Sequence, residues 1–193
     1  MAEATNRREQ LADAAIATLA SAGMRGLTHR AVDQAAGVPE GSCSYYFRTR
    51  QALLRAAVDR LAEMDSAEMA ARGLPRDRPD ISELADAAAE LIEHWVTAGK
   101  TRMLARYELA LESTRRPELR AVLVEAGGQV RRLAEDLLAA AGAPDPPGQA
   151  PVLVACVDGI VFDHLAGAGA LTLSPGELRA TLLALLRTFI QER

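Results

Sequence analysis

Aromatic side chains are scarce in this chain, at 4% of its 193 residues. The interior must therefore be filled by aliphatic groups, and alanine and leucine dominate. Alternating β-branched runs are missing, while nearly every long segment has a helical period, which excludes a sheet protein and predicts an all-α class. Cysteine is limited to Cys43 and Cys156, in different expected domains, so an intramolecular disulfide is not expected. No secretory signal precedes the first helical segment and no apolar run of about 20 residues stands out. A cytoplasmic chain with no membrane partner is the expectation. Catalytic signatures are absent as well: there is no HExxH, no ExxH pair, no glycine-rich phosphate loop and no nucleophile elbow. His94, Asp163 and His164 are weighed as a metal site, but neighbours on a helix such as Asp163 and His164 point about 100° apart and make poor co-ligands. No catalytic residue, metal or cofactor is expected, and the chain does not read as an enzyme.

What is present is concentrated between Gly26 and Phe47. Thr28 follows a loop marked by Gly23 and Gly26 and is placed to N-cap a helix running to about Ala36. Ala31, Val32 and Ala35 share its apolar face, while His29, Arg30, Asp33 and Gln34 are the more polar positions. Gly37 breaks the helix where a positive φ permits a sharp turn, and Val38 returns to the core. Pro39 suits the first turn of a second helix, where its missing N–H has no intrahelical use. Gly41, Ser42, Cys43 and Ser44 keep that helix slim enough for a major groove about 12 Å wide. Phe47 plugs the core, and Cys43 is expected to pack inward. Two short helices around a tight turn form a helix-turn-helix. They need support, which Arg7–Ala22 supplies through Leu11, Ala15, Ile16 and Leu19. A long helix capped by Thr49 adds Leu53, Leu54, Val58 and Leu61.

These motifs together resemble the TetR family of bacterial transcriptional regulators. The resemblance lies in G-L-T-x-R from Gly26 to Arg30, A-G-V from Ala36 to Val38, and G-S-x-S-Y-Y-F from Gly41 to Phe47. Arg48 to Leu54 looks like the family's opening of the fourth helix. The resemblance covers about residues 7 to 60. Pro39 stands where the family often has a capping serine, Glu40 where a basic residue or glutamine is common, and Ser44 where a tyrosine is frequent. An acid at this tip repels phosphate yet can accept from cytosine N4.

The resemblance implies double-stranded DNA as partner. Arg30 is the first expected base reader, since arginine can bond two acceptors of guanine. Thr28 and His29 lie at a helix N-terminus that favours phosphate. Glu40, Gly41, Ser42, Ser44 and Tyr45 are expected near base edges or sugars, with Tyr46 and Arg50 on the backbone. Charge agrees: residues 1–60 hold eight arginines against six acids, a balance of +2 in a chain of net −4.

Domains are expected at 1–60, the DNA-binding head, and 61–193, a helical ligand-binding and dimerisation body, about nine helices in all. The fourth helix is read as Arg50 to about Arg72, followed by a breaker loop from Leu74 to Asp80. Asp80 or Ser82 caps the next, which ends before Gly99. Helices from about Thr101 to Arg115 and from Pro117 to about Ala141 precede a proline-rich linker, Gly142–Gly148. The last two helices, Gln149–Gly167 and Ser174–Ile190, carry more apolar surface than one pair can bury, and the family pairs them with their twins in a homodimer. Trp95, Met103, Tyr107, Leu111 and Phe162 are the expected lining of an effector cavity, with His94, Glu108, Asp163 or His164 as polar handles. The implied function is a dimeric repressor of a near-palindromic operator, released by a small, mostly apolar effector of unknown identity. An activator, a regulator answering to a protein partner, or a helical enzyme with a degenerate head remain the alternatives.

Overall fold

The computed structural model describes residues 2–73, 78–169 and 171–190, and these hold nine helices and no strand. They are α1 (Ala2–Gly26), α2 (His29–Ala36), α3 (Ser42–Tyr46), α4 (Arg50–Arg72), α5 (Ile81–Val96), α6 (Lys100–Ser113), α7 (Pro117–Ala140), α8 (Pro146–Leu165) and α9 (Pro175–Phe189). Residues 74–77 of the expected breaker loop lie outside the described ones. Packing divides the chain into two compact units, one of residues 1–68 with 101–126, the other of 69–100 with 127–193. The expected boundary at residue 60 follows sequence order. Packing instead groups α6 and the first turns of α7 with the head.

In the first unit Leu11, Ile16 and Leu19 of α1 meet Leu27, Val32, Cys43 and Phe47 of the helix-turn-helix. Leu53, Leu54, Val58 and Leu61 of α4 close the same core, joined by Ala105 and Leu109 of α6 and Leu119 of α7. Helix α1 extends beyond the expected Arg7–Ala22 and is kinked at Gly23. Two mostly buried arginines of α6 tie it to α4: Arg102 reaches Glu68 at 2.6 Å and Asp65 at 3.7 Å, and Arg106 also pairs with Asp65.

The second unit is centred on α5 lying along α9. Leu84, Ala85, Ala89 and Ile92 are buried on one helix and Leu178, Leu182 and Leu186 on the other. A two-pronged Arg179–Asp86 pair braces them at the surface. Asp80, not Ser82, caps α5, its carboxylate accepting from Glu83 N at 2.8 Å while Glu83 returns a bond to Asp80 N. Ser174 and Glu177 repeat this capping box on α9. The expected linker Gly142–Gly148 is shorter than its prolines suggest. Asp145 caps α8 and Pro146 and Pro147 fall in its first turn, where a missing N–H costs nothing.

Helix α8 departs from the expectation of no long apolar run. Residues Pro146–Ala166 have a mean hydropathy of 1.3 in their most apolar window, of which only 11% is buried. By length and composition this is the one described helix able to cross a membrane. Asp158 and Asp163 had hidden it, because they interrupt the run without outweighing it.

Candidate nucleic-acid interface

The head forms its turn as the sequence predicts. Thr28 is extended and its hydroxyl accepts from Ala31 N at 3.1 Å, and Gly37 sits at φ 64° and ψ 34°. The N–H of Val38 then returns to Asp33 O at 3.0 Å. Gln10 of α1 donates to Ala36 O at 2.9 Å, covering a carbonyl that the end of α2 leaves open.

The second helix begins later than expected. Gly41 occupies the N-cap position at φ 95°, so α3 comprises only Ser42–Tyr46, with Pro39 and Glu40 in the turn before it. The reason is local: a residue at that φ cannot continue a right-handed helix, and Ser42 N closes the turn on Pro39 O at 3.1 Å. Cys43 and Phe47 are buried as expected, and burial followed by the charge of Asp33 pushes the Cys43 thiol up to about 11.

Asp33 is the residue that pattern reading misplaced. Grouped with the polar positions, it is only 3% exposed. Its carboxylate accepts from Gly41 N at 2.8 Å and from Cys43 N at 2.7 Å, one bond to each oxygen. Buried carboxylates need such partners. The signal available in advance was the lack of any capping side chain at Pro39 or Gly41.

The expected DNA-facing side chains divide into two groups. Arg30, Glu40, Ser44 and Tyr45 are exposed, and Arg30 Nε comes within 3.9 Å of Glu40 Oε1, which brings α2 and the tip of the turn together. Tyr45 is 78% exposed and meets Tyr46 edge-on at 5.1 Å. Ser42 and Ser44 donate to Pro39 O and Gly41 O at 2.6 and 2.9 Å. The other group is engaged within the head. His29 Nε2 lies 2.6 Å from Phe47 O, and since a carbonyl only accepts, Nε2 carries the proton. Arg50, half-buried, donates to Met24 O. These two were expected on phosphate; the structure uses them to tie the end of α3 and the start of α4 to the rest of the head. Tyr46 is half-buried, and its carbonyl accepts from Arg8, whose guanidinium also lies 4.9 Å from the Phe47 ring centre.

The profile described as "Bacterial regulatory proteins, tetR family" matches residues 11–57. The profile described as "Tetracyclin repressor-like, C-terminal domain" matches residues 79–192, more than half of the chain. The chain belongs to the TetR family. It is a TetR-family transcriptional regulator with an N-terminal helix-turn-helix DNA-binding domain and a C-terminal ligand-binding domain. Among solved structures, the multidrug binding protein EbrR complexed with ethidium is 33% identical, with a TM-score of 0.72 over 93% of this chain and 98% of that one. A TetR-family member from Streptomyces coelicolor A3 is 34% identical, with a TM-score of 0.72 over 93% and 97%. A transcriptional regulator from Rhodococcus sp. has a TM-score of 0.80 at 24% identity, over 95% and 96%, and shares the fold. No curated protein sequence matches this TetR-family chain.

The five side chains expected around an effector are unequally placed. Met103 and Tyr107 of α6 are buried, and Trp95 of α5 is half-buried with its indole N–H buried and, among the described residues, without a hydrogen-bond partner. Leu111 and Phe162 are 58% and 40% exposed, so they sit at the surface rather than in an enclosed pocket. Two of the polar handles are already committed: Glu108 accepts from Met24 N at 3.1 Å and Asp163 from Leu171 N at 2.9 Å. A cavity of about 740 Å³ in the second unit lies between Ile81, Ala140, Leu183 and Arg187, and none of the five lines it. Among the described residues no three His, Cys, Asp or Glu side chains gather as a metal site.

Proposed function

We propose that this regulator is a repressor that binds a near-palindromic operator as a homodimer and is released by a small, mostly apolar effector, in the cytoplasm. The observation that carries this reading is the exposed Arg30–Glu40 pair beside a slim α3. A guanidinium and a carboxylate within 3.9 Å offer a donor fork and an acceptor to adjacent base edges.

Dimerisation is supported by α8. Its exposed positions include Val152, Ala155, Gly159 and Phe162, spaced three, four and three apart, which is one seam of a helix-on-helix contact. Alanine and glycine in its middle permit close approach. Two such chains related by a two-fold axis present two α3 helices to half-sites about one helical turn apart.

For the effector, support comes from the unpartnered Trp95 indole N–H and from the EbrR relative, whose solved complexes hold ethidium, proflavin and malachite green. An aromatic dye cation is therefore the first class to test. Trp95 is the only tryptophan, so quenching of its emission reports on its own surroundings.

The experiment is selection of genomic fragments by the full chain, then titration of the recovered site and of random duplex at two salt concentrations. One near-palindromic site, bound far more tightly than random DNA and released by a dye of this class, is the expected result. Weak binding, equal for all sequences and erased by salt, would sink the reading.

A further inference from the structure

We propose that Asp33 is the positioning residue of α3, a cap supplied from α2 that fixes the recognition helix against the base-reading Arg30. The proposal rests on the DNA-reading function above.

Helix α3 has five residues, far too few to be stable by itself. Its first N–H groups need acceptors, and its own N-cap, Gly41, has no side chain to offer. Pro39, where the family often has serine, offers none either. The acceptors come from eight and ten residues upstream: Asp33 Oδ2 takes Gly41 N and Oδ1 takes Cys43 N. Bonds to an ionised acceptor are the stronger kind, and a carboxylate at a helix N-terminus is also favoured by the helix dipole.

The geometry of a two-oxygen clamp does more than stabilise. One bond would leave α3 free to pivot, whereas two bonds to N–H groups two residues apart fix both tilt and rotation. With Cys43 held inward, Ser44 and Tyr45 face out. Arg30 stands three residues before Asp33 on the same short helix, so the clamp also sets the distance between Arg30 and the α3 readers. Phosphate contacts need little of this registration, while base contacts depend on it. Asp33 therefore acts on discrimination more than on general affinity for DNA, without touching the DNA.

The test uses the full chain with Cys156 replaced by serine, so that Cys43 is the only thiol. Asp33→Asn keeps the volume but replaces one acceptor oxygen with a donor, and Asp33→Ala removes both. At a temperature where far-ultraviolet circular dichroism matches the parent, both variants are expected to lose tenfold or more in operator affinity. Affinity for random duplex stays within about twofold. Alkylation of Cys43, compared at equal thiolate fraction because loss of the Asp33 charge by itself lowers the thiol pKa, accelerates severalfold as α3 loosens. Adding Pro39→Ser to Asp33→Ala, which supplies a cap within the turn, recovers part of the operator affinity. A folded Asp33→Asn protein with an unchanged operator-to-random ratio overturns the proposal, as does failure of Pro39→Ser to recover any discrimination. A parent that shows no such ratio overturns the DNA-reading function instead. Cys43 alkylation then judges the clamp separately, and an unchanged rate in Asp33→Asn removes it.

Discussion

Glu108, on α6, accepts a hydrogen bond from the backbone N–H of Met24 across 3.1 Å, just past the kink of α1 at Gly23. The carbonyl of the same residue accepts from Arg50 at the start of α4. Met24 is thus held by one side chain from the helix behind the head and by another from the helix leaving α3. Replacing Glu108 with alanine leaves the amide without its acceptor, at a cost of about 1–3 kcal/mol. Hydrogen exchange at Met24 should accelerate accordingly, with amides of α8 and α9 unaffected. Equal protection in parent and variant would mean that Glu108 does not hold the kink.

Gly37 isolates the cost of a backbone conformation. A Cβ added there meets nothing within 4 Å, so space is no obstacle, but the residue sits at φ 64°. Gly37→Ala should lose about 1 kcal/mol from the left-handed conformation alone. For a chain of this size that lowers the melting temperature by about 2–4 °C. Gly37→Asn, whose side chain tolerates this region, should lose less. Equal losses in the two variants would point to a contact rather than to φ.

The success with Gly37 and the failure with Asp33 have one physical cause. A turn glycine, the Thr28 cap and the Leu11–Leu19 stripe act over a few residues, so their consequences can be read from local order. Helix limits set by local caps were legible for the same reason: α4 and α9 begin and end within a residue or two of expectation. Asp33 depends on a loop bringing Gly41 and Cys43 back to it, which periodicity does not register. His29 was expected near phosphate because it lies at a helix N-terminus, and Arg50 was expected on the DNA backbone. Their bonds to Phe47 O and Met24 O depend on how three helices meet. The exposure of Leu111 and Phe162 likewise follows from packing, since apolarity alone does not say which surface a helix turns inward.

Acidification should weaken the junction of α6 and α7. Glu112 is 8% exposed and accepts from Arg116 and, at 2.8 Å, from Arg115. These bonds hold its carboxyl below the ordinary glutamate value of 4.5. A lowered folded-state pKa means stability that is present above the unfolded value and lost as pH falls through the folded one. Melting temperature against pH should therefore fall more steeply below about pH 4.5 in the parent than in Glu112→Gln. At neutral pH the variant should be about 1 kcal/mol less stable, the arginines being largely solvated. Parallel pH profiles would exclude the assignment.

The α8 seam can be challenged without disturbing a single chain. A Cβ at Gly159 meets nothing within 4 Å, so glutamate fits there in the isolated protomer. In a dimer joined along Val152, Ala155, Gly159 and Phe162, the same side chain would bring two like charges into an apolar contact. Sedimentation should show the parent as a dimer and Gly159→Glu as a monomer with unchanged helix content. Operator affinity should fall at least tenfold, because the half-sites are then bound independently. A Gly159→Glu dimer would place the interface elsewhere.

Glu40 and Arg30 should respond to mutation in opposite directions on random DNA. Arg30→Ala removes the proposed base reader, so about 1–3 kcal/mol of operator affinity should be lost, chiefly at one base pair. It also removes a positive charge, and random duplex should bind slightly less well. Glu40 is an exposed acid at the tip of the turn proposed to approach DNA, with its side chain 74% exposed. Glu40→Ala removes that repulsion and should tighten binding to random duplex a fewfold at low salt. In the proposed reading it should also erase preference for cytosine at the base pair next to the carboxylate. The ratio of operator to random affinity then falls in both variants, by loss of the numerator in one and gain of the denominator in the other. Titrations of both duplexes at two salt concentrations separate these outcomes. A Glu40→Ala protein that binds random DNA no better than the parent would show that this carboxylate faces away from the groove.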